Sequence, residues 1–147
     1  MYLNLYRFLY PFAKLYWFLF RPKTFGAKVL IKCGEEILMI RHTYGKQNWT
    51  LPGGGMKRGE KPDEAAKREV KEEMEIDLAE VILLGQFFLN QEYKKDTVYG
   101  FVAEVPQKDF KIDGVEILEA RWFNLDNLPH TNSFIAKEVL RLWQEKK

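Results

Sequence analysis

A Pro-Gly-Gly-Gly run at positions 52–55 separates two kinds of sequence. On its N-terminal side, Ala27–Lys32 and Ile37–His42 are rich in β-forming residues around Gly34, Glu35 and Glu36, which predicts a hairpin. On its C-terminal side, Pro62 suits a first helical turn. The stretch from there to Glu75 carries Ala66, Val70 and Met74 on one helical stripe. The run itself breaks regular structure. A sheet followed by a breaker and an amphipathic helix limits the chain to layered folds in which helices cover a sheet.

The rest of the pattern agrees. His42–Gln47 is polar and glycine-bearing, as a loop would be, and Trp49–Leu51 is a short apolar piece. Val81–Leu89, Thr97–Val105 and Ala120–Phe123 read as strands. A last helix is predicted from Ser133 to Glu145, with Ile135, Val139, Leu142 and Trp143 at helical spacing and Asn132 or Ser133 as its cap. At 147 residues, 46% apolar and 30% charged, the chain suits one hydrophobic core. The expected fold class is α/β of the α+β kind: an α/β/α sandwich with a mixed sheet over 23–147, preceded by an aromatic-rich segment over 1–22. The single cysteine, Cys33, lies in an apolar run and cannot form an internal bridge, so a reducing cytoplasm is the expected setting.

The net charge of +2 conceals a basic head on an acidic body. Residues 1–34 hold six Lys and Arg and no acid, which leaves the remainder at −4. A broad basic groove for extended nucleic acid is therefore not expected. Sixteen of the first twenty residues are apolar or aromatic, and Asn4, Arg7, Pro11 and Lys14 form one narrow polar stripe if the segment is helical. The charges interrupt any signal-peptide core. Arg7 and Lys14 would also lie near a bilayer centre, which disfavours a span. Two readings stay open: an interfacial helix at a membrane surface, or a segment packed on its own domain or on a second subunit.

Chemistry concentrates on the helix after the glycines. At 100° per residue, with Glu69 as origin, Glu72 falls at about −60° and Glu73 at about +40°, so three carboxylates share one arc. Taken alone, such an arc is an ordinary solvated face. Beside a core, carboxylates on neighbouring turns repel unless a cation neutralises them. Mg²⁺ is the natural candidate, with Mn²⁺ as a substitute, because a hard cation takes carboxylate and carbonyl oxygens and completes its shell with water and substrate phosphates. Gly53, Gly54 and Gly55 offer backbone that a ligand can approach closely. Arg41 and His42, at a strand end, are candidates to meet a substrate phosphate.

Gly54-x5-Glu60-x7-Arg68-Glu69-Val70-x-Glu72-Glu73-x-x-Ile76 resembles the Nudix box, the signature of hydrolases that cleave a nucleoside diphosphate linked to another moiety. Trp49–Gly54 resembles the usual lead-in, and Arg121–Leu125 with Leu128-Pro129 the usual exit, so the resemblance spans roughly 25–145. It implies a Nudix-like sandwich and Glu69, Glu72 and Glu73 as metal ligands, helped by a carbonyl at Gly53 or Gly54. It also implies Glu60 and Arg68 as a structural ion pair. Glu116 matches the place of a later carboxylate that serves as ligand or general base, with Glu92, Glu104 and Glu119 as competitors. Glu69, Glu73 and Glu116 are thus the expected catalytic groups. Tyr93 resembles a tyrosine of members acting on dinucleoside polyphosphates, and packing is its plainer reading. Asn132 resembles a purine-reading asparagine, and a helix cap is its plainer reading.

One position departs from the pattern. Glu75 stands where the family has a glycine that ends the helix left-handed, which predicts a cost of about 1 kcal/mol or a shifted helix end. The expected function is metal-dependent hydrolysis of a diphosphate linkage in a small nucleotide-like substrate: a nucleoside triphosphate, a dinucleoside polyphosphate or a nucleotide sugar. The alternative is a non-catalytic binding module of the same fold. Such a module is expected to lose a box carboxylate, and all three are present.

Overall fold

Gly34 and Glu35 make a two-residue turn, with Gly34 at φ +60° and Cys33 paired to Glu36 across it. The turn joins β1 (Lys23–Cys33) to β2 (Glu36–His42). The computed structural model describes residues 2–20, 23–45, 47–91 and 94–147. β1 begins at Lys23 rather than at Ala27, for a non-local reason: it runs parallel to β5 (Lys94–Glu104) from Lys23↔Lys95 to Lys32↔Glu104. Thr24 Oγ1 also donates to Asp96 Oδ1 at 2.8 Å. Pairing with a distant strand extends an element beyond its own apolar run.

Away from the turn β1 and β2 part, and the segment around 50–55 fills the gap between them. Thr50 bridges to Ile40, Val29 N–H donates to the Pro52 carbonyl at 2.9 Å, and Gly53–Gly55 forms a short strand, β3, antiparallel to Gly26–Lys28. The expectation that the glycines break all regular structure is corrected here. Their flexibility lets the chain enter the sheet where a side chain would collide: a Cβ on Gly53 would lie 2.0 Å from the Ala27 carbonyl oxygen. With β4 (Ile82–Gln91) and β6 (Ile117–Asn124), the sheet has the order β4-β5-β1-β2-β6, with β3 on β1. One parallel pair among antiparallel ones makes it mixed.

Helices cover both faces. On one, α2 (Pro62–Met74) buries Ala65, Ala66, Val70 and Met74 against Ala27, Val29, Ile31, Leu38 and Ile40. On the other, α3 (Phe134–Glu145) buries Ala136 and Val139 against Leu30, Ile37, Met39 and Leu51. Adjacent β1 residues thus feed opposite cores, as strand alternation requires. Each fully buried Leu or Ile contributes about 1.5–3 kcal/mol. The result is the expected α/β/α sandwich.

The helix ends follow local rules. The Glu64 carboxylate accepts the Lys61 N–H at 3.2 Å, and Pro62 occupies the first turn of α2. At the other end Glu75 itself takes the left-handed conformation, φ 54° and ψ 34°, and its N–H donates to the Lys71 carbonyl at 3.0 Å. The helix end does not shift, because Ile76 and Leu78 are buried immediately beyond it. At α3 the cap is Ser133, whose hydroxyl accepts the Ala136 N–H at 3.2 Å, and Asn132 is exposed beside it. The N-terminal segment forms α1 (Tyr2–Phe20), with Pro11 inside it. Among the described residues no helix is long and apolar enough to cross a membrane.

Candidate active site

The acidic arc of α2 lies against β3 and the loop that follows it. Glu73 is 1% exposed, and its Oε1 accepts the Gly53 N–H at 2.8 Å. Glu69 rests on Gly54, where a Cβ would come within 2.6 Å of its carboxylate. Glu72, one turn away, is exposed. Gly53 and Gly54 therefore differ in function: the first is required by the sheet, the second by the carboxylate.

Arg68 binds this assembly together. It pairs with Glu60 through Nε–Oε2 at 2.7 Å and Nη2–Oε1 at 2.9 Å. Its Nη2 also donates to the Gly55 carbonyl at 2.9 Å, while Nη1 reaches Glu69 at 2.9 Å and Glu72 at 3.2 Å. These bonds hold the Glu60 carboxyl down to about 2, with the Arg68 hydrogen bonds as the main cause. One planar fork thereby ties loop to helix, as a guanidinium can and an ammonium cannot.

Glu116 reaches the arc from the connection between β5 and β6. That connection is fastened to the end of α2 by Lys111 N–H to the Met74 carbonyl at 2.9 Å and Asp113 N–H to the Glu73 carbonyl at 3.2 Å. Asp113 Oδ1 accepts the N–H groups of Val115, Glu116 and Ile117, each at 3.1 Å, and so sets the turn that presents Glu116. The Glu116 carbonyl accepts the Thr43 N–H at 2.9 Å, joining it to the loop after β2.

Burial dominates the electrostatics of the site, and like charge adds to it. Burial pushes the Glu73 carboxyl up to about 7; Lys28 and the Gly53 N–H oppose this, and Glu69 and Glu116 add to it. Burial also raises Glu116, and Asp113, Glu69 and Glu72 push it the same way. Lys28, whose Nζ donates to the Gly53 carbonyl at 2.9 Å, is the nearby cation that offsets both. Sequence reasoning passed over Lys28. Its signal was a base set between the apolar residues Ala27 and Val29. Burial, with Lys28 second, lowers His42 to about 4.

Among the described residues no three His, Cys, Asp or Glu side chains converge on one point as they stand. Arg68 accounts for this, because it draws the Glu69 and Glu72 carboxylates to itself while the Gly53 amide holds Glu73. The donor set nevertheless suits a hard divalent cation: carboxylate oxygens from adjacent turns of one helix, with Glu116 close enough for its charge to act on Glu73.

Other candidates fall elsewhere. Arg41 projects to the opposite side of the sheet from Ile40, onto the α3 face. There it pairs with Glu119 and lies 5.1 Å from the Trp49 ring. Glu119 also pairs with Arg121, so this competitor of Glu116 is committed to two guanidinium groups. Asn132 is on that same side, between Thr131, which donates to the Trp49 carbonyl, and Ser133, which bonds Thr50 at 2.9 Å. The structure thus gathers Glu69, Glu72, Glu73 and Glu116 on the α2 side and Arg41 with Asn132 on the Trp49 side. Glu104 pairs with Lys32 at 3.5 Å, at the far end of the β1–β5 ladder from β3. Tyr93 and Glu92 lie outside the described residues. A cavity of about 350 Å³ between α1 and the loop after β2 is lined by Tyr6, Arg7, Tyr10, Thr43 and Tyr44. Burial raises the Tyr44 phenol above its ordinary value, and the charges of Glu116, Glu73 and Glu69 add to this.

Comparison with known proteins places this geometry in context. The family profile described as the NUDIX domain matches residues 21–143. Diphosphoinositol polyphosphate phosphohydrolase 3-alpha of Mus musculus is 38% identical over 96 residues, covering 63% of this chain and 57% of the relative. The NAD-capped RNA hydrolase NudC of Pseudomonas aeruginosa is 32% identical over 124 residues, covering 78% of this chain and 42% of that one. The chain thus spans about half the length of these relatives. The MutT protein of Methanosarcina mazei Go1 superposes with a TM-score of 0.75 at 25% identity, covering 87% of this chain and 98% of that structure. A MutT NUDIX hydrolase from Burkholderia pseudomallei, at 22% identity and a TM-score of 0.75 over 82% of this chain and 97% of that one, shares the fold.

Proposed function

The chain belongs to the NUDIX domain family, and from that premise we propose that it hydrolyses a diphosphate linkage in a small substrate of the nucleoside diphosphate-X type. The observation that carries this reading is the juxtaposition of Glu69, Glu72 and Glu73 on one arc of α2 with Glu116, presented from a loop fastened to the end of that helix. The names of the relatives agree in kind, since the mouse protein is a phosphohydrolase and the Pseudomonas protein a hydrolase of a capped RNA. Nucleoside triphosphates, dinucleoside polyphosphates and nucleotide sugars are the substrate classes proposed.

Glu69, Glu72 and Glu73, with the Gly54 carbonyl, would hold the divalent cation, Mg²⁺ or in its place Mn²⁺. Such a cation lowers the pKa of a bound water and neutralises charge on a departing phosphate. The chain's own residues do the remainder. Glu116 accepts the proton of the attacking water, and Glu69 and Glu73 are the further carboxylates on which turnover depends. Glu73 is held in register by the Gly53 amide, and Arg68 keeps Glu69, Glu72 and the Gly55 carbonyl in a single frame with Glu60. The space beside Gly55, where a Cβ would meet nothing closer than 4.0 Å, leaves the loop backbone open to a phosphate. Among the described residues Arg41 Nε is buried without a hydrogen-bond partner and so offers a donor to substrate on the Trp49 side, where Asn132 also lies between Thr131 and Ser133. The half-buried free thiol of Cys33 suits a reducing cytoplasm.

The test is a panel of nucleoside triphosphates, dinucleoside polyphosphates, nucleotide sugars and ADP-ribose with Mg²⁺ in ¹⁸O-water. One class should be cleaved with the label in a single phosphate product. Binding without cleavage across the panel would replace this proposal with a non-catalytic module.

A further inference from the structure

On a helical wheel with Arg7 as origin, Leu5, Phe8, Phe12, Leu15 and Leu19 of α1 fall between about 80° and 160°. All are more than 45% exposed, Phe8 at 66% and Leu19 at 63%. Tyr6, Tyr10 and Ala13 fall near −100°, −60° and about −120°, on the other side of the helix. That side faces the body: the Tyr6 ring lies 4.6 Å from Tyr44, Tyr10 lines the cavity beside it, and Tyr10 and Ala13 are half-buried. Of the two readings open at the sequence, packing on the chain's own domain thus accounts for only one edge of α1. The opposite stripe remains uncovered and contiguous, with Phe8 against Phe12 at 5.7 Å.

We propose that this stripe docks on an anionic lipid surface, with α1 lying in the plane of the interface and Arg7 and Lys14 reaching the headgroups. Charge selects this occupant. Arg7 and Lys14 lie at about 0° and −20°, at the border between the body-facing edge and the exposed stripe, where long basic side chains can extend from apolar surface to phosphate. The helix itself carries these two bases and no acid. A second copy would bring like charges together, whereas an anionic leaflet complements them. Aromatic side chains are also suited to the headgroup boundary, and α1 presents exposed Phe8, Phe12 and Tyr16. The central charges and the proline fit a helix lying on the membrane rather than crossing it. This inference stands apart from the hydrolase proposal and survives if that fails.

Co-sedimentation of the full chain with vesicles of phosphatidylcholine, alone or mixed with phosphatidylglycerol, tests it. Partition should be at least about tenfold stronger into the anionic vesicles and fall with added salt. The combined variant Phe8→Gln, Phe12→Gln, Leu19→Gln should lose about tenfold or more in partition while keeping its circular dichroism and thermal midpoint, since these side chains face away from the body. Arg7→Gln with Lys14→Gln should abolish the preference for anionic vesicles. Absence of pelleting, equal binding to both vesicle types, or unchanged binding by the glutamine variants would overturn the proposal. So would a lipid-free, concentration-dependent dimer in sedimentation velocity that the triple variant abolishes, since it would make a second copy the occupant.

Discussion

Replacing Glu75 with glycine should stabilise the protein and leave its chemistry alone. A non-glycine residue held left-handed costs about 1–2 kcal/mol, and Glu75 is held there at φ 54° by the buried residues that follow it. Glycine returns about 0.4–1 kcal/mol of this through the greater freedom of the unfolded chain. Removing a negative charge from a helix C-terminus adds about 0.3 kcal/mol. The balance is about 1 kcal/mol in favour of Glu75→Gly, which for a chain of this size raises Tm by about 3 °C. Glu75→Ala removes the same charge but keeps the backbone strain, so its Tm should stay within about 1 °C of wild type. Thermal denaturation by circular dichroism reads both. Turnover should not change, because Glu75 lies about 120° around α2 from Glu69. A Glu75→Gly protein no more stable than wild type, or a Glu75→Ala gain equal to that of glycine, would refute the backbone argument.

Two adjacent glycines should separate fold from site. Gly53→Ala puts a methyl into the Ala27 carbonyl at a φ of +131° and should cost about 3 kcal/mol or more in denaturant unfolding. Gly54→Ala meets only the movable end of Glu69 and should leave stability within about 1 kcal/mol while reducing turnover on the hydrolysed substrate. Metal-free stability against pH should reveal two opposed titrations. The folded value of His42, about 4 against an ordinary 6.5, gives stability that is complete above 6.5 and lost as pH falls toward 4. The folded value of Glu73, about 7 against 4.5, gives stability that is complete below 4.5 and lost as pH rises through 7. The two nearly cancel, so Glu73→Gln should make stability fall on acidification and His42→Gln should make it rise, each by about 3 kcal/mol. Urea unfolding in the presence of a chelator checks the signs, and parallel slopes in the two variants would contradict them.

What could be read from the chain was local, and what could not was created by contact at a distance. The hairpin at Gly34, the Pro62 helix start and the α2 stripe are set by neighbours in sequence, and the structure repeats them. The left-handed Glu75 was also legible, because the position calls for glycine. The first residues of β1 and the strand at Gly53–Gly55 were not legible, since both depend on pairing across the sheet. Likewise, nothing near Lys28 announces its bond to the Gly53 carbonyl or its field at Glu73 and Glu116. Arg41 could be placed at a strand end. That it faces Trp49 and Glu119 follows only from strand parity within the assembled sheet. Whether Asn132 or Ser133 caps α3 was a choice between adjacent equivalents, decided by which hydroxyl or amide meets the Ala136 N–H.

The central claim is that the acidic arc of α2 takes up a divalent cation on which turnover depends. Calorimetric titration of Mn²⁺ into the full chain, with and without a nucleotide diphosphate, measures this directly. Binding should be present in the wild type and at least tenfold weaker in Glu69→Gln and Glu73→Gln, both of which should keep their fold and lose turnover by about a hundredfold or more. A wild-type protein that binds no Mn²⁺ even with nucleotide, or glutamine variants that bind and turn over like wild type, would contradict the account.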